Sequence, residues 1–178
     1  MKLGVFVTLN GQIGEEFKKL KEHGFSTCQL CSWQPDQMTP EAAALVKSAV
    51  AEYGIEITAF WCGWSGPAVW DFYQGPLTLG LVPEAFRYAR MRELQAGSDF
   101  ARLLGVTDLI THVGFLPENP SSTEYAGVIS AIQAVASHCL KNGQRFLFET
   151  GQETPVTLKR TIEDVGTGNL GVNLDPAN

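Results

Sequence analysis

No stretch of this sequence approaches the ~20 consecutive apolar residues that a membrane-spanning helix needs, although 44% of its 178 residues are hydrophobic. No membrane partner is expected. Basic residues are also scarce: 13 Lys and Arg stand against 19 Asp and Glu, for a formal net charge of −6. The one local group, Arg87, Arg90 and Arg92, is flanked by Glu84 and Glu93. With no basic stripe to neutralise phosphates, nucleic-acid binding is not expected. The first strand–helix turn reads Thr8-Leu9-Asn10-Gly11-Gln12, without GxGxxG, and no GxxxxGK[ST] occurs. That weakens a dinucleotide-binding fold and excludes a standard phosphate loop. Met1 leads through Lys2 straight into the apolar segment Leu3 to Val7. This leaves no room for a signal peptide, and a cytoplasmic location is expected.

Cysteine is sparse too, at four residues: Cys28, Cys31, Cys62 and Cys139. Cys28-Gln-Leu-Cys31 has CxxC spacing, but both residues fall inside a strand, where that spacing sends side chains to opposite faces. A redox pair opens a helix after a strand, and a zinc ribbon needs a second CxxC. The expectation is two small buried residues.

What is present is a repeated unit: short apolar strand, loop, amphipathic helix, Gly, next strand. Strands are predicted at Leu3–Thr8, Thr27–Trp33, Glu56–Cys62, Asp108–Val113, Arg145–Glu149 and Leu170–Asp175. The intervening helices show apolar stripes at spacings of three and four. These stripes are Ile13, Phe17, Leu20; then Leu45, Ala49, Tyr53; then Met91, Leu94, Ala101, Leu104. The fourth is Tyr125, Val128, Ile132, Val135, Cys139, and the fifth is Leu158, Ile162, Val165. Thr39-Pro40 and Thr154-Pro155 read as N-cap and first-turn proline, and Gly24, Gly54, Gly105 and Gly143 lie where left-handed caps belong. A long Gly- and Trp-rich loop runs from Gly63 to about Val82. Alternating strands and helices imply a parallel sheet with right-handed crossovers. Near-continuous apolar strands imply cover on both faces. An open doubly wound sheet and a barrel both satisfy this pattern.

The placement of polar residues bears on function. Strand four ends Leu109-Ile110-Thr111-His112, strand five Phe146-Leu147-Phe148-Glu149, and strand six Val172-Asn173-Leu174-Asp175. Three groups of metal-ligand type thus end three successive strands, and in a barrel those ends converge on the active site. Trp33 and Trp61 fall at the ends of strands two and three and are placed to wall the same pocket. Each residue also has a plainer reading. His112 suits a hydrogen-bonded structural role and Asp175 a helix cap. Glu149 lies too far from Thr154 for a simple cap, and an unpaired Glu there is costly to bury.

The segments Phe148-Glu149-Thr150-Gly151-Gln152-Glu153-Thr154 and Gly171-Val172-Asn173-Leu174-Asp175-Pro176-Ala177-Asn178, with the turn Thr111-His112-Val113-Gly114, resemble the xylose isomerase-like barrels. These form the sugar phosphate isomerase/epimerase superfamily, which includes ketose 3-epimerases, inosose dehydratases and the endonuclease IV branch. The resemblance implies an α/β fold of (β/α)8 TIM-barrel type over residues 1–178, incomplete, with about six βα units present. Strands seven and eight are expected beyond Asn178. It also implies one divalent metal cation, Mn²⁺, Mg²⁺ or Co²⁺ by the oxygen-rich ligand set. Glu149 and Asp175 would be metal ligands, and a His and a Glu would come from the two further strands. Glu149 would be catalytic, exchanging a proton at the carbon beside a sugar carbonyl that the metal polarises. His112 and Glu153 would touch a small-molecule sugar or sugar derivative.

Asn178 stands where many members carry a His; it keeps hydrogen-bonding capacity toward a hydroxyl and loses strength as a metal ligand. Strand two ends without the His that the endonuclease IV branch needs, so a DNA-repair role is not implied. The implied activity of the intact protein is sugar isomerase or epimerase. The alternatives are an inosose-type dehydratase on the same metal site, or an inactive fragment or sugar-binding module. Unpaired sheet edges at strands one and six would invite association, including a homo-oligomer. The segment Trp61 to Trp70, with Phe72 and Tyr73, suits a sugar-stacking surface, a packed lid or a subunit contact.

Overall fold

The computed structural model describes residues 2–178. Six parallel strands lie side by side in chain order: β1 (Val5–Thr8), β2 (Thr27–Ser32), β3 (Glu56–Cys62), β4 (Asp108–Thr111), β5 (Arg145–Glu149) and β6 (Leu170–Asn173). Between them run α1 (Ile13–Glu22), α2 (Pro40–Tyr53), the short α3 (Gly75–Thr78), α4 (Glu84–Leu104), α5 (Thr123–Lys141) and α6 (Pro155–Val165).

The strand order settles which architecture this is. A doubly wound sheet reverses its strand order at a switch point, whereas the order here is strictly sequential. Successive long helices pack on one another in turn: α1 on α2, α2 on α4, α4 on α5, α5 on α6. Curvature is shown by one hydrogen bond. The Gln29 amide of β2 donates to Asn173 Oδ1 of β6 at 3.2 Å, although the two strands stand four positions apart in the sheet. In a flat sheet they would be separated by about 19 Å. The sheet is therefore rolled into the wall of a TIM-barrel-type fold that is incomplete in this chain, with β1 and β6 as its edges.

Strand alternation divides the apolar side chains into two sets. Cys28, Leu30, Phe60, Cys62, Leu109, Phe146 and Phe148 point outward into the layer under the helices. Cys31, Ala59, Trp61, Ile110 and Leu147 form a smaller inner cluster. The two cysteines of the CxxC run thus belong to opposite faces, and all four thiols are free and buried. Burial of a side chain such as Phe146 or Phe148 contributes roughly 2–3 kcal/mol, so the outer layer carries most of the stability.

Helix boundaries follow local chemistry. Thr39 and Thr154 accept hydrogen bonds from the amides of Ala42 and Thr157, each followed by proline at the first helical position. Ser122 caps α5 through the Tyr125 amide. Gly54, Gly105 and Gly166 end α2, α4 and α6 in the left-handed conformation. Three expectations need correction. β1, β2, β4 and β6 are shorter than predicted, so His112 and Asp175 lie in turns beyond their strands. The inward stripe of α2 is Ala43, Val46 and Ala49, and Leu45 is 61% exposed. Leu45 sits about 100° around the helix from Val46, off the face that carries Ala43, Val46 and Ala49. The loop from Gly63 to Val82 contains α3 and a tight approach at Gly80. There φ is +66° and a Cβ would come within 2.0 Å of the Val113 carbonyl carbon.

Candidate active site

At the end of β5, Phe146 and Phe148 are fully buried under the helices. Alternation therefore turns Leu147 and Glu149 toward the barrel axis. Glu149 is the last residue of the strand and pairs in register with Asn173 of β6. The Asn173 amide donates to Glu149 Oε2, and Asn173 Oδ1 accepts from Gln29. This relay fixes the carboxylate from across the lumen.

Asp175 follows two residues after β6. The Asp175 amide donates to Thr150 Oγ1 at 2.8 Å, and Thr150 Oγ1 donates back to the Asp175 carbonyl at 3.1 Å. The turn is thereby tied to the residue after Glu149. Asp175 Oδ1 also accepts from the Ala177 amide at 2.8 Å, so this carboxylate organises its own turn as well as facing the cavity.

Burial raises the Glu149 pKa above the ordinary carboxylate value. The Asn173 amide and the Trp61 indole oppose that rise, and the negative charge of Asp175 adds to it. Glu149, Asp175, Trp33 and Trp61 line one cavity of about 440 Å³ with Gln29 and Asn173, and no Lys or Arg is among its lining residues. The size falls in the range of small-molecule sites, roughly 300–1,000 Å³. Two carboxylates sharing such a space without a cationic side chain repel each other, and a bound cation would relieve that repulsion. The donor set, all carboxylate and amide oxygen, suits a hard divalent ion. Among the described residues no group of three or more His, Cys, Asp or Glu converges on one point.

The aromatic wall is held firmly. The Trp33 ring lies 4.8 Å from that of Trp61 and meets Trp64 and Trp70 edge-on at 5.2 and 6.1 Å. It rests against Gly63, where a Cβ would approach the ring to 2.6 Å. Trp33 keeps 36% of its surface exposed.

His112 is placed differently. It is 1% exposed, and burial lowers its pKa to about 4. Its Nδ1 accepts from the Gly114 amide at 3.1 Å, which puts the proton on Nε2. That Nε2 has no hydrogen-bond partner and is covered by Gly151, where a Cβ would lie 2.3 Å from it. Trp70 stands edge-on to the imidazole at 5.0 Å. Glu153 flanks the same glycine: its Oε1 accepts from the Gly151 amide at 3.3 Å, and burial raises its pKa. Asn178 donates to the Thr150 carbonyl at 2.8 Å.

The structure thus gathers Glu149, Asp175, Trp33 and Trp61 around one cavity. Buried His112 and half-buried Glu153 flank Gly151 beside that cavity, and Asn178 clips the β5 loop. Sequence reasoning missed Gln29 and Asn173. Gln29 announced itself as a polar residue inside an apolar strand, and Asn173 as the residue in phase with Asp175 on alternating positions. Trp70 ends the tryptophan-rich segment singled out in the sequence, and its ring stands beside Trp33 and His112.

The sequence signature of the family described as "Xylose isomerase-like TIM barrel" matches residues 17–178. A xylose isomerase domain protein from Planctomyces limnophilus superposes with a TM-score of 0.92 at 34% identity, covering 99% of this chain and 63% of that one. A D-psicose 3-epimerase from Clostridium cellulolyticum H10, crystallised with D-tagatose, gives 0.69 at 14% identity, covering 97% and 62%. A xylose isomerase-like TIM barrel protein from Mycobacterium smegmatis, crystallised with magnesium, gives 0.66 at 14%, covering 91% and 55%. The chain therefore spans less than two thirds of the length of these relatives. No curated protein sequence gives a significant match.

Proposed function

The chain belongs to the xylose isomerase-like TIM barrel family, and from that premise we propose that it carries the carboxylate half of a metal-assisted sugar isomerase or epimerase site. The observation that carries this reading is the meeting of Glu149 and Asp175 in one cavity walled by Trp33 and Trp61. The ligands of two similar crystal structures, D-tagatose in one and magnesium in the other, agree with a ketose-sized ligand and a hard divalent ion.

Glu149 and Asp175 would hold a divalent cation, with Mn²⁺, Mg²⁺ or Co²⁺ suited to the donor set, and its charge would polarise a sugar carbonyl. The protein's own residues then do the following. Asn173, itself braced by Gln29, donates to Glu149 Oε2 and orients the carboxylate that would receive a proton from the carbon next to that carbonyl. Partial burial keeps the Glu149 carboxyl closer to neutrality in proton affinity than a surface Glu, as a group that takes and returns a proton requires. Trp33 and Trp61 exclude water from one side of the cavity and offer flat apolar surface to the C–H face of a sugar. Epimerisation returns the proton to the same carbon from the opposite face, and isomerisation returns it to the neighbouring carbon. Glu153 would offer an acceptor beside the β5 loop for a substrate hydroxyl, and His112, covered by Gly151, would support that loop from beneath. A cytoplasmic small-molecule enzyme is the setting this chemistry fits.

The test is proton exchange. With Mn²⁺ and a ketose in D₂O, deuterium should enter the carbon next to the carbonyl, and the sugar should be otherwise unchanged in mass. Glu149→Gln should lower the exchange rate by at least about a thousandfold. An unaffected rate refutes the assignment. Loss of water from the sugar would instead identify a lyase on the same residues.

A further inference from the structure

Arg90 on α4 is fully buried, and the proposed chemistry does not use it. Among the described residues no carboxylate lies within ion-pair distance of its guanidinium. A buried charge is costly unless it is compensated, and an apolar side chain of similar volume often packs as well or better. An arginine at this position is therefore explained by what its donors reach.

They reach a single loop, the one between β3 and α4. Nε donates to the Ser65 carbonyl at 3.1 Å, Nη1 to those of Thr78 at 2.7 Å and Gly80 at 2.9 Å, and Nη2 to that of Pro67 at 2.8 Å. Two of these carbonyls belong to the limb that leaves β3 and two to the limb that enters α4. Gly66, between the first two, turns the chain around the guanidinium with a φ of +85°. Glu93, about one helical turn further along α4, accepts from the Ser65 amide at 2.9 Å and from Ser65 Oγ. Ser65 is thus held by its amide and its carbonyl at once, from two residues of one helix.

From this anchor an unbroken series of contacts leads into the carboxylate cavity. The guanidinium lies 4.0 Å over the Trp64 ring, an attraction between cation and π face. Trp64, 2% exposed, meets Trp33 edge-on at 5.2 Å. Trp33 lies 4.8 Å from Trp61, and both line the cavity of Glu149 and Asp175. Trp33 stands one residue beyond the end of β2, so strand pairing does not fix its ring. It packs instead on Gly63 and Trp64, the two residues that precede the pinned Ser65. We propose that Arg90 is a positioning residue for this cavity, acting through Trp64 to set the Trp33 ring against the bound sugar. The role toward a sugar rests on the proposed function; the pin on Trp33 does not.

The experiment combines circular dichroism in the tryptophan region with D-fructose and Mn²⁺ titrations of the 178-residue chain. The tilted Trp33–Trp61 pair should give an exciton couplet, assigned by its loss in Trp33→Phe. Arg90→Met removes every donor at similar length, and Trp64→Leu breaks the relay while leaving the carbonyl bonds of Arg90 in place. Each should largely abolish the couplet and weaken D-fructose binding about tenfold. Mn²⁺ affinity should stay at the wild-type value, because Arg90 touches neither carboxylate. The double variant should lose no more than the weaker-binding single one, since both act on one chain of contacts. If Arg90→Met does not fold, Trp64→Leu and the wild type carry the test. In the wild type the Arg90 Nε proton should exchange with water at least about a hundredfold more slowly than that of exposed Arg92. A couplet that ignores the variants overturns the proposal, as does a lost couplet with D-fructose affinity unchanged. Additive effects, equal losses of D-fructose and Mn²⁺ affinity, or an Arg90 proton exchanging as fast as that of Arg92 also overturn it. A couplet that depends on Arg90 in a chain whose wild type binds no D-fructose would keep the pin and refute the sugar reading.

Discussion

Lowering the pH from 7 to 4.5 should cost this fold stability through one residue in particular. His112 is buried, its Nδ1 accepts a backbone amide, and burial holds its pKa at about 4. An unfolded His titrates near 6.5. Because the folded pKa is depressed, the folded chain binds a proton less readily than the unfolded chain. His112 therefore contributes stability above pH 6.5, and that contribution disappears progressively as pH falls from 6.5 to 4. Between pH 7 and 4.5 the loss is about 2 kcal/mol for this single group, a sizeable part of the ~5–15 kcal/mol typical of a domain. Urea denaturation at the two pH values measures it. Carboxylates also titrate in this range, so the same pair of measurements on His112→Gln supplies the control. The variant has no imidazole to charge and should lose about 2 kcal/mol less on acidification. NMR should show His112 neutral, with its proton on Nε2, down to pH 5. A His112 that titrates near 6.5, or a variant with the same pH dependence as the wild type, refutes the placement of this side chain.

Further outcomes are expected elsewhere. At Gly97 of α4 a Cβ would come 2.2 Å from Cys62 Sγ, inside the fully buried outer layer. Gly97→Ala gains about 1 kcal/mol of helix propensity and meets an overpacking cost of about 1–3 kcal/mol, so urea denaturation should show net destabilisation. The four thiols should resist a disulfide-exchange reagent at pH 8 in the native chain and react together in denaturant. Burial pushes the pKa values of Cys28 to about 12 and of Cys31 and Cys139 to about 11, and raises that of Cys62 as well. Rapid labelling of a single cysteine in the native state would contradict this. Thr154→Ala removes the N-cap of α6 and should cost about 1 kcal/mol, read as a lower denaturation midpoint.

Much of this structure was legible in the sequence because its signals are local. Capping threonines followed by proline set the starts of α2 and α6, and alternation in Phe146-Leu147-Phe148-Glu149 was enough to aim Glu149 at the axis. The CxxC cysteines were assigned to opposite faces by the same alternation. What escaped depends on contacts between distant residues. The bond between Gln29 and Asn173 spans 144 positions and exists only once the sheet has curled. Arg90 read as one of a charged group, yet it is buried because the loop at 63–82 folds back and offers it four carbonyls. His112 and Asp175 were placed at strand ends, but each lies in a turn after its strand. There hydrogen bonds to Gly114 and Thr150 set its position more than the pleat does. Leu45 looked like core by size, and the face of α2 that is buried carries Ala43, Val46 and Ala49 instead.

The central claim is that Glu149 and Asp175 act together on a divalent ion at the mouth of the sheet, and Mn²⁺ binding followed by electron paramagnetic resonance tests it most directly. The account predicts one Mn²⁺ per chain, with binding lost in both Glu149→Gln and Asp175→Asn while circular dichroism shows the fold intact. Equal Mn²⁺ binding by wild type and both variants, or no binding to the wild type, would contradict it.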